Sequence, residues 1–353
     1  MPIRLSRRHL IAVAAGTLLS APRLAKSATT RIAGAGSNFA RPVVQRWIET
    51  MPPALGIEAT YTIMGTGASQ SKILSGEIDF ATVELPLPVT TLADGDLLQF
   101  PVAFGALVCV ANIPGIASNQ LQLNANLLAA IYSGAIRKWN DPRIAAANPG
   151  LALPGMDILP LRLETPQNAV FSTTRTLQQY LLATNADWRE KFGATITRSW
   201  AIGSMVSTIG NMVETMQALP GSIGYMSVGD ALSKNLAIVK LQNKAGKAVT
   251  ANVASLQAAV AQVDWAKAPG LVANLLDLPG NDAWPIVLPS YALIRHTPAE
   301  PARGAATRAF LKHVLTEGAA AAAAAERHAA TLPPAPSATA LALLGKSAVT
   351  AAR

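Results

Sequence analysis

One local design recurs three times in this chain: a short apolar strand, a small polar loop, then a helix. Residues 30–33 read as a strand and lead into Gly34-Ala35-Gly36-Ser37-Asn38. A helix follows over 40–49, with Val43, Val44, Trp47 and Ile48 on one face. Residues 57–63 alternate as a second strand, ending in Gly65-Thr66-Gly67-Ala68-Ser69 and a helix over 69–75. Residues 158–163 form the third such strand, leading into Glu164-Thr165-Pro166-Gln167-Asn168-Ala169 and a helix over 170–182. Strands that alternate with helices predict an α/β fold built on parallel sheet.

Further strands are expected at 78–83, 102–110, 222–226, 283–287 and 291–294. Further helices are expected at 126–131, from Asp141-Pro142 onward, and at 305–317. The alanine tract 319–325 should continue a helix after Gly318. Residues 333–340, rich in Pro, Ala and Ser, read as loop, and the extreme C-terminus as mobile. Residues 100–136 contain no charged side chain, which predicts a buried strand, a turn and a helix. A chain of 353 residues has a prior of about two domains and is long enough to bury a substantial core.

The first 27 residues read as an address. Arg4, Arg7 and Arg8 precede a short apolar stretch, and Ala25-Lys26-Ser27 is a small-residue cleavage site before Ala28. The apolar stretch is too short to span a bilayer of ~30 Å. Ser6-Arg7-Arg8-His9-Leu10-Ile11 is similar to a twin-arginine export motif, and an ordinary Sec signal is the alternative. Both readings predict export across a bacterial inner membrane. The formal net charge is +9, and this segment carries five basic residues and no acidic one, so the mature chain is near +4. That is too mild to argue for a nucleic-acid partner.

Composition narrows the chemistry. A single cysteine, Cys109, excludes an internal disulfide and a cysteine-built zinc site. The four histidines are scattered, with no pair at helical i,i+4 spacing, so neither a metal nor another cofactor is expected. No G-x-S-x-G elbow is present, and Cys109 lies in an apolar strand as an inert thiol would. The three strand-to-helix loops are better suited to anions. A helix N-terminus offers unpaired N–H groups and the positive end of its dipole. Ordinary βα turns with Ser, Thr or Asn caps remain the plain alternative for each loop.

Taken together, these segments resemble the periplasmic phosphate-binding proteins of Pst-type ABC transporters. The resemblance is carried by Ala33-Gly34-Ala35-Gly36-Ser37-Asn38-Phe39, Gly65-Thr66-Gly67-Ala68-Ser69, Ile78-Asp79-Phe80-Ala81 and Gln99-Phe100-Pro101-Val102. It continues through Asn112-Ile113-Pro114-Gly115, Ile131-Tyr132-Ser133-Gly134, Lys138-Trp139-Asn140-Asp141, Leu219-Pro220-Gly221-Ser222-Ile223-Gly224-Tyr225 and Asp282-Ala283-Trp284-Pro285-Ile286. These run in the family's order and cover about residues 30–335. The resemblance implies a two-lobed periplasmic-binding-protein fold (type II) with two crossover strands. Residues 28–104 plus 285–353 would form lobe I, and 105–284 lobe II. It also implies a monomeric, non-enzymatic protein that captures inorganic phosphate and docks on an ABC permease.

The family's ligand residues carry over with changes. Asn38 stands at a threonine position and Phe39 matches a phenylalanine. Thr66 replaces a serine hydroxyl. Glu84 replaces an aspartate that accepts the proton of hydrogen phosphate and so rejects sulfate. The third loop departs most. Against the family's Arg-x-Asp-Gly-Ser-Gly-Thr, an ungapped match puts Leu163 at the arginine, Thr165 at the aspartate and Gln167, Asn168 and Ala169 at Ser-Gly-Thr. A one-residue insertion instead restores Arg162-x-Glu164 as the pair. We favour the insertion, because a buried dianion without a cation is poorly stabilised. The two registers differ physically, since a one-residue shift reverses the face of a strand side chain. The divergent loop leaves open a different oxyanion or organophosphate on the same fold, or a sensor or scaffold role. An exported hydrolase is the reading from another class.

Overall fold

A computed structural model describes residues 29–163, 172–193, 202–316 and 318–345. The segment 1–27 expected to direct export, the extreme C-terminus, and Gln167, Asn168 and Ala169 of the third loop lie outside the described residues.

The strands are β1 (Thr30–Gly36), β2 (Ile57–Ile63), β3 (Phe80–Val83), β4 (Leu97–Ala111), β5 (Gln122–Leu123) and β6 (Leu159–Leu163). They continue as β7 (Ser204–Val206), β8 (Ser222–Ser227), β9 (Lys240–Gln242), β10 (Ala248–Val249), β11 (Val287–Arg295) and β12 (Ala329–Ala330). The main sheet runs β2-β1-β3-β11-β4-β8-β6-β7, with β12 also on β4, and β10-β9-β5 form a small separate sheet.

The fold is α/β and two-lobed, and β4 changes partner along its length. This strand is buried at every position except the half-buried Leu98, and it pairs antiparallel with β11 from Leu97 to Ala106. It then changes partner and pairs with β8 from Leu107 to Ala111. Parallel strands lie on either side: β2-β1-β3 beyond β11, and β6-β7 beyond β8. The charge-free stretch of the sequence is thus the strand that must be covered on both faces, followed by the buried helix Ala125–Ser133.

Three tryptophans tie distant segments together through both burial and an indole hydrogen bond. Trp47 donates to the Ala320 carbonyl at 2.9 Å, holding the helix Arg41–Thr50 against the alanine helix Gly318–Ala325. Trp139 donates to Gly221 at 3.0 Å and Trp284 to Leu107 at 3.2 Å. The expected start at Asp141-Pro142 is realised, with the Asp141 side chain accepting from the Arg143 N–H.

Several expectations are corrected. Residues 333–340 are not a loop: Pro334–Gly345 is a helix. Proline is tolerated in a first turn, and burial of Ala340 and Leu344 against the core supplies what composition could not show. The two late strands are one, Val287–Arg295, and residues 283–286 precede it outside any strand. The loop Gly65-Thr66-Gly67-Ala68-Ser69 is the first turn of the helix Gly65–Ser75 itself. β1 continues through the glycines to Gly36, because Gly34 and Gly36 leave room for the Phe80 and Tyr61 side chains of adjacent strands.

Candidate functional site

The site forms where β1 and β3 end, which is where open α/β sheets place ligands. Glu84 immediately follows β3 and is 2% exposed. A carboxylate that deep requires donors. The Ser37 hydroxyl donates to its Oε1, and the Thr66 hydroxyl donates to its Oε2 at 2.8 Å. Ser290 of β11 adds a long contact, 3.5 Å from its Oγ to Oε1. The first and second loops therefore meet on one buried carboxylate.

Gly36 makes that meeting sterically feasible. The Tyr61 hydroxyl lies 2.5 Å from Thr82 Oγ1 and donates to the Ser37 carbonyl at 3.2 Å. A Cβ on Gly36 would fall 2.0 Å from the Tyr61 oxygen and 2.2 Å from Thr82 Oγ1. Burial pushes the Tyr61 phenol well above its usual range. The Thr82 hydrogen bond opposes the shift, and the negative charge of Glu84 adds to it. Gly36→Ala is accordingly expected to destabilise the protein by about 1–3 kcal/mol, the usual cost of overpacking. The denaturation midpoint measures this, and an unchanged midpoint would show that the tyrosine moves aside freely.

The other expected ligand residues are placed as follows. Asn38 is exposed, and it is the preceding Ser37 that faces Glu84. Phe39 is half-buried against Gly105, where a Cβ would fall 2.4 Å from its ring. Arg162 is half-buried on β6, whereas Leu163 is 0% exposed within the main apolar core. The Leu163 N–H donates to the Tyr225 hydroxyl at 3.1 Å, and that hydroxyl also bonds Thr174 Oγ1 at 2.7 Å. Burial pushes the Tyr225 phenol up to about 12. Thr174, the Leu163 N–H and the positive charge of Arg162 all pull it down.

Sequence reasoning missed Ser37 and Ser290. Ser37 had a readable signal: a serine just before a helix whose first N–H groups need acceptors. Ser290 had none, because its relation to Glu84 depends on strands 206 residues apart.

Cys109 is buried, and burial pushes its thiol up to about 12, so it is not a nucleophile at neutral pH. Among the described residues, no group of three or more His, Cys, Asp or Glu is arranged to hold a metal ion. Among them also, no helix is long and apolar enough to cross a membrane.

Residues 24–317 match the model of the PBP superfamily domain. The phosphate-binding protein PstS of Xylella fastidiosa is 32% identical over 305 residues, covering 86% of this chain and 82% of that protein. The chain belongs to the PstS family of phosphate-binding proteins. PstS of Pasteurella multocida is likewise 32% identical, over 270 residues, covering 76% of this chain and 77% of that protein. Among solved structures, the chain is similar to a high-affinity periplasmic phosphate-binding protein (PfluDING) bound with phosphate. The TM-score is 0.67 at 17% identity, over 89% of this chain and 93% of that one. A phosphate-binding protein from Stenotrophomonas maltophilia gives a TM-score of 0.63 at 16% identity, with the same coverage. At such identities the solved structures speak to the fold.

Proposed function

We propose that this chain is a periplasmic substrate-binding protein that captures inorganic phosphate between its two lobes and delivers it to an ABC importer. The observation that carries this reading is the buried Glu84 carboxylate, held by Ser37 and Thr66 at the ends of parallel strands. An ionised carboxylate only accepts hydrogen bonds. It can face an oxyanion favourably only if that oxyanion brings a proton, as hydrogen phosphate does and sulfate does not. Relatives named phosphate-binding protein support the same ligand.

In this reading Asn38, Phe39, Thr66, Glu84 and Arg162, with Gln167, Asn168 and Ala169, line the phosphate site. Lobe I comprises residues 28–104 and 285–353, and lobe II residues 105–284. The change of β4 partner between Ala106 and Leu107, and the return of the chain in β11, support those boundaries. The protein acts as a monomer, binds no nucleic acid and breaks no bond. Oriented donors and lobe closure do the work. Residues 1–27 direct export.

Arg162 supplies the cation. Packing of Leu163 in the apolar core supports the register that puts Arg162 at the family's arginine. Arg162→Leu is expected to weaken phosphate binding at least tenfold, about 1.4 kcal/mol. Unchanged affinity would remove Arg162 from the site.

Calorimetric titration of phosphate-stripped protein with phosphate, then sulfate, near neutral pH tests the whole reading. Tight phosphate binding with sulfate excluded is the expected result. No heat from a folded sample with either anion would overturn it and direct the search to organophosphates, in line with the altered third loop.

A further inference from the structure

Ser37 is saturated in this structure. Its single hydroxyl proton goes to Glu84 Oε1. Its oxygen accepts the Phe39 N–H at 3.1 Å and the Ala40 N–H at 3.3 Å. A serine hydroxyl has one proton and two lone pairs, so all its capacity is used. In this arrangement Ser37 has no proton to give a ligand. What it does is join the Glu84 carboxylate to two N–H groups at the start of the helix Arg41–Thr50, where the helix dipole is positive.

Ser290 approaches the same oxygen from another element. β11 pairs antiparallel with β3 with Tyr291 opposite Val83, so continuing the register sets Ser290 opposite Glu84. The β4 ladder beside it skips Val102, between Ser290 opposite Ala103 and Tyr291 opposite Pro101. Pro101 has no N–H to give a regular ladder, and bulges are where a sheet accommodates proline. Ser290 is 1% exposed.

We propose that Ser37 and Ser290 are the positioning residues that set anion selectivity. They fix Glu84 Oε1, while Thr66 fixes Oε2. A glutamate has one more freely rotating bond than an aspartate, and the extra methylene lets its carboxylate swing away from a ligand. Clamping both oxygens removes that freedom and keeps an acceptor lone pair aimed at the place of a ligand proton. Neither serine touches the ligand; both act through Glu84. The inference rests on the phosphate-binding reading above and names the residues that determine its discrimination.

The test is calorimetry with phosphate and with sulfate on the wild type, Ser37→Ala, Ser37→Thr and Ser290→Ala, each checked by circular dichroism. The readout is the ratio of the sulfate Kd to the phosphate Kd. Ser37→Ala should lower that ratio at least tenfold, Ser290→Ala about threefold, and Ser37→Thr should restore it. A purely structural role would weaken both anions together and leave the ratio in place. An unchanged ratio in folded Ser37→Ala, with the wild type binding phosphate, overturns this inference and leaves the phosphate reading standing. If Ser37→Ala does not fold, the ratio in Ser290→Ala decides by the same criterion. A wild type that binds no phosphate overturns both.

Discussion

Glu84→Ala should cut the preference of this protein for phosphate over sulfate at least tenfold, about 1.4 kcal/mol in the difference between the two anions. The wild-type carboxylate is buried and accepts from Ser37, Thr66 and Ser290. Toward a ligand it offers only lone pairs. Hydrogen phosphate answers with its proton, and a hydrogen bond to a charged group contributes about 1.5–3 kcal/mol. Sulfate sets its own lone pairs against those of Glu84, and like charges at close quarters reject it. Alanine removes both the reward and the rejection, so phosphate should bind more weakly while sulfate gains. Glu84→Gln separates charge from shape: it keeps the volume and one acceptor oxygen but loses the negative charge. Titration of both anions into both variants reads the effect. An unchanged selectivity ratio in Glu84→Ala would end the proton-acceptor role.

Trp284→Ala is expected to have the largest effect on stability, about 3–5 kcal/mol, the usual cost of deleting a buried large aromatic. Trp284 is 0% exposed. Its indole donates to Leu107 at 3.2 Å, and its own backbone N–H donates to Ser255 at 3.0 Å. Two residues on, the Ile286 carbonyl accepts the Leu107 N–H at 3.0 Å. These bonds converge where β4 leaves β11 for β8. The variant should therefore lower the denaturant midpoint without changing the slope, if unfolding stays two-state. A loss under about 1 kcal/mol would mean that the site collapses around the smaller side chain.

Much of this architecture was legible because it rests on local rules. The strands β1 and β2, the charge-free run that becomes β4, and the Asp141-Pro142 helix start each follow from patterns a few residues long. The helix Pro334–Gly345 was not legible, because its alanines and prolines say little until burial against the core is known. Glu84 and Thr66 were legible through a family's motif order, and they do meet. The same route drew attention to Asn38 but not to its neighbour Ser37, whose side chain faces Glu84. Motif order identifies a loop, but only the path of the backbone shows which of its side chains meets the carboxylate.

From the sequence alone came the α/β class, the two-lobed family, and a carboxylate at the end of the third strand. Those depend on periodicity, turn chemistry and residue order, all carried along the chain. Only the tertiary structure decided what that carboxylate touches. Ser37 lies 47 residues from Glu84, Thr66 lies 18 and Ser290 lies 206. The first two arrive because parallel strands bring their loops to one edge. The third arrives because β11 returns antiparallel between β3 and β4. Hydrogen bonds reach only about 3 Å, so a partner that far along the chain is set by strand pairing, which no short stretch of sequence specifies.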